Sequence, residues 1–122
     1  MKYKTHKAKI DRMMVYEKCG GHCAYCGKEI TMKEMQVDHF NSKFRAEYSG
    51  SQPDNSFDNL MPACAECNRY KSSDSIETMR KFLEKSKSQL LKTQNLRILN
   101  RLGGFSISDK PIQFYFEQFN NQ

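Results

Sequence analysis

Tryptophan is absent from the 122-residue sequence, so the large apolar groups of any core must come from its eight phenylalanines and six tyrosines. Long apolar runs are missing too. No stretch reaches 18 apolar residues, so no transmembrane span is expected. The opening residues, Met1-Lys2-Tyr3-Lys4, lack the apolar centre of a secretory signal, and the expected location is intracellular, in the cytoplasm. No internal repeat or extended low-complexity tract is present. Five cysteines without a secretory signal argue against a disulfide framework, because reducing compartments keep thiols free. In such compartments CxxC pairs hold metal or do redox chemistry.

What is present is two such pairs, Cys23-x-x-Cys26 and Cys64-x-x-Cys67, with Cys19 left over. A structural zinc site takes four soft ligands in a tetrahedron, and each CxxC supplies two from one tight turn. The Gly20-Gly21 pair ahead of Cys23 permits a turn that brings backbone N–H groups toward sulfur. His22 and Cys19 are close enough in sequence to compete as ligands. Cys19 has no partner at CxxC spacing and is expected to be a free or buried thiol. The two pairs lie 37 residues apart, longer than a minimal zinc ribbon, so a segment is inserted between the knuckles. Zinc bound there contributes folding energy directly, which matters for a chain with 38% hydrophobic residues and a modest core.

Formal charge is +6, falling to +4 when four thiolates and one Zn²⁺ are counted. A basic balance suits a polyanionic partner, and it equally suits a lysine-rich solvated surface. Residues 1–9 form a basic arm, and the polar, turn-rich residues 41–58 form a long loop. Helices are expected over Ile10–Lys18, with Ile10 and Met14, and next to them Met13 and Val15, on the buried side, and over Ala65–Lys71. A further helix is expected after a Ser73 or Asp74 cap, with Ile76, Met79 and Leu83 at helical spacing. Another spans Leu91–Leu102 and ends at Gly103-Gly104. Met35–Phe40 and Leu60–Ala63 fit short strands, and the alternation after Phe105, through Asp109-Lys110-Pro111 to Phe116, fits a hairpin packed into the core.

The insertion carries Asp38-His39, and the second pair runs on into Asn68 and Lys71. Hydrolysis of a phosphodiester requires an activated water, stabilisation of the charge developing on phosphate, and a neutralised leaving oxygen. His39 is a suitable base, and Asp38 and Asn68 are suitable oxygen donors for a hard divalent ion. Lys71, three residues after Asn68, shares its helical face and can meet a phosphate there. Lys43, Arg45 and Arg69 are further phosphate candidates, or simply solvated charge. Neighbours on a strand point to opposite faces, so Asp38 and His39 serve one phosphate only if the strand ends or bulges there, or if metal and water lie at its edge. Singly, Asp38 reads as a turn or cap residue, His39 as a structural histidine, and Asn59 and Asn68 as helix caps. Their joint order carries the functional reading.

Cys23-x-x-Cys26, Val37-Asp38-His39, Asn59-Leu60 and Cys64-x-x-Cys67-Asn68-x-x-Lys71 together resemble the HNH endonuclease signature, in the form His39-Asn59-Asn68. The match covers residues 19–72. The resemblance implies a ββα-metal unit around one divalent ion, Mg²⁺ or Mn²⁺. In it His39 is the general base, Asp38 and Asn68 bind the ion, and Asn59 orients His39 and braces the loop. The four cysteines hold structural zinc, and DNA is cut to leave 5′-phosphate and 3′-hydroxyl ends. Phe40-Asn41-Ser42 stands where many members have a proline, and the loop to Asn59 lacks their common glycine pair.

The expected fold class is α+β: a small zinc-stapled domain with a ββα-metal (HNH) core, flanking helices and a C-terminal hairpin. It is one domain over 1–122, with a motif core at 19–72, a flexible arm at 1–9 and an extension at 73–122. A single-metal site cuts one strand at a time, so duplex cleavage requires a homodimer, a second visit or a partner protein. The competing expectations are a zinc-stabilised nucleic-acid-binding module without catalysis and a zinc-stapled protein-interaction domain.

Overall fold

In the computed structural model, which describes residues 12–42, 50 and 54–120, the chain separates into two units. One comprises Met1–Ser75 with Phe114–Gln122, the other Ile76–Gln113. The first opens with helix α1, described over residues 12–17. Val15 is its buried residue, while Met13 and Met14 are exposed. The inward positions expected for Met13 and Met14 are therefore corrected, and Ile10 and the basic arm lie outside the described residues. Polar anchors fix α1 instead of a methionine face. Arg12 donates to the carbonyls of Met32 (2.7 Å) and Met35 (2.6 Å), and Tyr16 Oη donates to Ile30 O (2.8 Å).

Strands β1 (Gln36–His39) and β2 (Leu60–Ala63) form a two-stranded antiparallel sheet, with Asp38 opposite Met61 and His39 opposite Leu60. A 3-10 turn at Phe57–Asn59 leads into β2. Pro62 has no N–H to give the ladder. Its carbonyl accepts from Ala24 N at 2.8 Å and so ties the first cysteine knuckle to the sheet. Helix α2 (Ala65–Lys71) follows directly. Its N-cap is Cys64, whose sulfur accepts from Cys67 N, and it ends at Ser72, which adopts a left-handed φ of 51°. Around this ββα hairpin are buried Cys19, Tyr25, Ile30, Met35, Met61, Ala63 and Phe114.

The hairpin expected after Phe105 does not form. Residues 105–114 carry no strand, and Tyr115–Asn120 is helix α5, after α3 (Ile76–Leu90) and α4 (Gln94–Arg101) of the other unit. The alternation of Phe114 and Phe116 resembles a strand, but two local features override it. Glu117 Oε1 accepts from Phe114 N (2.8 Å), the reach-back bond that starts a helix. The next two N–H groups donate to Tyr25 O (3.1 Å) and Ala24 O (2.8 Å), partners ninety or more positions away. Phe114 and Phe116 then meet Tyr25 edge-on at 6.0 and 6.2 Å, and Phe116 meets Phe40 at 5.7 Å. At Gly27 (φ 79°) a Cβ would come within 2.8 Å of the Tyr115 ring, so a side chain there is excluded twice over.

The second unit holds α3 (Ile76–Leu90) and α4 (Gln94–Arg101). Ile76 and Met79 are buried, and α3 starts at Ile76. Arg80 donates to Ile112 O (2.7 Å) and Glu84 accepts from Ile112 N (2.6 Å), which holds the returning chain against α3. Helix α4 has no buried residue. No helix of the described residues is long and apolar enough to cross a membrane.

Candidate functional site

Both CxxC segments fold as knuckles. In the first, Gly27 N donates to Cys23 O (3.0 Å) and Tyr25 N donates to Cys23 Sγ (3.4 Å). In the second, Cys67 N donates to Cys64 Sγ at the same 3.4 Å. The four sulfurs of Cys23, Cys26, Cys64 and Cys67 all lie within 4.8 Å of one another. Tetrahedral zinc with Zn–S bonds of about 2.3 Å sets sulfurs about 3.8 Å apart, and Cys26 and Cys64 are separated by 3.9 Å. The donor set, spacing and N–H···S bonds all fit a structural metal. The packed thiols share protons unequally. A hydrogen bond from Cys67 is the main cause that brings Cys23 down to about 4, while the proton held on Cys67 is pushed up.

Cys19 is buried and outside the cluster, and burial raises its thiol. His22 does not join either. Its Nδ1 lies 3.2 Å from Cys19 O and its ring leans on Tyr115, 5.2 Å between centroids.

Asp38 occupies the centre of the hairpin and is 7% exposed. Tyr25 Oη donates to its Oδ2 at 2.5 Å, and Lys71 Nζ lies 3.1 Å from the same oxygen. Among the described residues nothing bonds Oδ1, which leaves that oxygen for a cation. Burial, together with the Asp38 charge, raises the Tyr25 phenol far above its usual value, so Tyr25 stays a donor. Lys71 is 0% exposed and also donates to His39 O (3.2 Å). This corrects its expected role as a phosphate contact, because its ammonium is sealed inside the hairpin against a carboxylate.

His39 is the last residue of β1 and is half-buried. Its Nε2 lies 2.9 Å from Asn55 Oδ1. Asn59, expected to orient the histidine and brace the loop, makes its side-chain hydrogen bonds to the loop and not to the ring. It is 4% exposed and locks the ends of the long loop, Oδ1 accepting from Asn41 N (2.8 Å) and Nδ2 donating to Asn41 O (3.1 Å) and Asp54 O (2.7 Å). The residue on the imidazole is Asn55.

Asn68, on α2, donates through Nδ2 to Gln36 Oε1 at 2.6 Å. Gln36 and Asp38 share a face of β1, so Asn68 reaches the strand face that bears Asp38, with its own oxygen unused by any described partner. Arg69 is exposed and lines a surface groove of about 460 Å³ with Lys28, Glu34 and Glu66. Lys43 and Arg45 lie outside the described residues. Two site residues escaped sequence reasoning. Tyr25 sits inside the first CxxC, which fixes where its ring goes. Asn55 belongs to the Asp54-Asn55-Ser56 cluster, whose composition signals only a turn.

A two-stranded hairpin, a following helix and a four-cysteine clamp at its base define a ββα unit with a metal knuckle. The sequence model described as HNH endonuclease matches residues 23–74, the span from the first cysteine of the cluster to just past α2. Residues 23–74 thus form an HNH endonuclease domain. No curated protein matches the sequence. Among solved structures, the chain is similar to the Type II-C Cas9 enzyme from Actinomyces naeslundii, with a TM-score of 0.54 and 22% identity. That likeness covers 78% of this chain and 10% of the Cas9 chain, so this chain spans about a tenth of that protein's length.

Proposed function

We propose that the protein is a metal-dependent endonuclease that hydrolyses DNA phosphodiester bonds, one strand per visit. The observation that supports this reading is that Asp38, His39 and Asn68 all lie on one hairpin-helix unit within residues 23–74, the span matched by the HNH endonuclease model. With Asn55 Oδ1 2.9 Å from Nε2, the tautomer that donates from Nε2 leaves Nδ1 as the acceptor nitrogen. Nδ1 then takes the proton of the attacking water. Asp38 Oδ1 and Asn68 Oδ1 are the oxygens that would hold Mg²⁺ or Mn²⁺. Such an ion supplies positive charge to the phosphate and the leaving oxygen. Tyr25 and Lys71 fix the Asp38 carboxylate through Oδ2, and Asn59 fixes the loop that carries Asn55. The four cysteines hold zinc in a purely structural role.

The test is nicking of supercoiled plasmid with Mg²⁺ or Mn²⁺, followed by end mapping. Wild type is expected to leave 5′-phosphate and 3′-hydroxyl ends. His39→Ala is expected to fold, keep its zinc and cut at least about a hundredfold more slowly, the usual worth of a general base. Equal rates would remove His39 from that role. One observation favours a second reading, a zinc-stabilised nucleic-acid binder: Asp38 already has a cation, Lys71, beside it. Salt-sensitive DNA binding with no cleavage under any divalent ion would select that reading.

A further inference from the structure

Formal charge is divided unequally between the two units. Residues 76–113 carry eight lysines and arginines against three carboxylates, a formal +5, while the rest of the chain carries twelve against eleven. Four thiolates with Zn²⁺ take the nuclease unit to a formal −1. The unit that would cut DNA therefore has no charge excess with which to hold it.

In the second unit the carboxylates on α3 are used internally. Glu77 pairs with Arg80 at 3.1 Å, and Glu84 accepts from Ile112 N with Lys87 3.9 Å away. Lys87 also donates to Lys110 O (2.6 Å), and Arg97 donates to Leu91 O (3.0 Å). Lys81, Lys85, Lys92 and Arg101 remain exposed, with no ion-pair partner among the described residues. Lys81 and Lys85 lie four apart on α3 and so project from one face, and Lys92 follows in the turn beyond the helix.

We propose that residues 76–113 are the DNA-holding unit of the protein, with Lys81, Lys85, Lys92 and Arg101 lying against phosphates of a duplex. The inference rests on the nuclease reading above. Contacts of this kind carry no base information, so the grip is sequence-independent. The grip supplies what the near-neutral nuclease unit lacks, a field that retains a polyanion at ordinary salt.

The experiment is fluorescence anisotropy of a labelled duplex with the full chain, without added divalent ion, across a range of NaCl concentrations. Each phosphate that a lysine neutralises adds about 0.9 to the steepness of log K against log salt, so Lys81→Ala/Lys85→Ala should flatten the slope by about two. Binding should weaken roughly tenfold at moderate salt, equally for unrelated sequences. A matched pair of exposed lysines on the nuclease unit, Lys28→Ala/Lys33→Ala, should change the slope much less. Zinc content and melting temperature check folding, and Lys92→Glu, in a turn outside the helix, serves if the double variant melts early. An unchanged slope in these variants, or equal flattening by the Lys28/Lys33 pair, overturns the proposal and leaves the nuclease reading standing. Wild type that binds no DNA at low salt overturns both.

Discussion

Asp38 is the residue on which the site turns, and its two partners have different jobs. Tyr25 brings a neutral donor from the zinc knuckle, and Lys71 brings a charge from the end of α2. A buried ion pair gains little over an apolar pair of the same shape, but removing one member strands the other. Lys71→Met is therefore expected to lower stability by about 3–5 kcal/mol, measured by urea unfolding of the zinc-loaded protein. Asp38→Asn added to that variant should recover part of the loss, because the stranded charge is then gone. A Lys71→Met protein as stable as wild type would show that water, rather than the ammonium, solvates Asp38. Sequence made Lys71 visible only as a helical neighbour of Asn68. Its partner lies 33 positions upstream, and no local spacing reports an ion pair between a helix end and a distant strand.

At the scale of elements, the long loop between the strands is held by one side chain. Asn59 spends both amide hydrogens on carbonyls, of Asn41 and Asp54, and its oxygen on Asn41 N. Phe40 N adds a backbone bond to Asn59 O at 2.7 Å. Asn59→Ala leaves these buried groups without partners and should cost about 1–3 kcal/mol. Asn59→Asp should not rescue it, since a carboxylate oxygen would then face two carbonyls. Thermal melts of the two variants check this, and rescue by aspartate would mean that the amide N–H bonds are dispensable. The elements themselves were largely legible. Both strands and α2 fall where the apolar runs and the second CxxC put them, because their signals are local. The C-terminal segment was misread because its pattern was local while its hydrogen-bond partners, Ala24 and Tyr25, were not. Asn55 and Asn59 are both turn-type residues a few positions apart, and only the folded loop decides which one meets the imidazole.

For the whole molecule, the four-cysteine cluster, which fits a structural metal, joins segments that the sheet alone cannot hold. A two-stranded hairpin is at best marginally stable in water, and this one has only four residues in each strand. The knuckles close it from below, since Cys64 is at once a cluster sulfur and the N-cap of α2, and the first knuckle carries Tyr25 to Asp38. Removing a metal from that cluster should therefore disorganise the Asp38 carboxylate together with the fold. One equivalent of zinc per chain is expected by elemental analysis. Its extraction with a chelator should abolish the near-ultraviolet circular dichroism of the Tyr25–Phe114–Phe116 cluster. Zn²⁺ should restore that signal, whereas Mg²⁺, which avoids thiolates, should not. Cys64→Ala should mimic extraction, whereas His39→Ala should keep both zinc and signal. A chelated protein that retained its aromatic signal would place the fold's stability in the apolar core and leave the cysteines without a structural role.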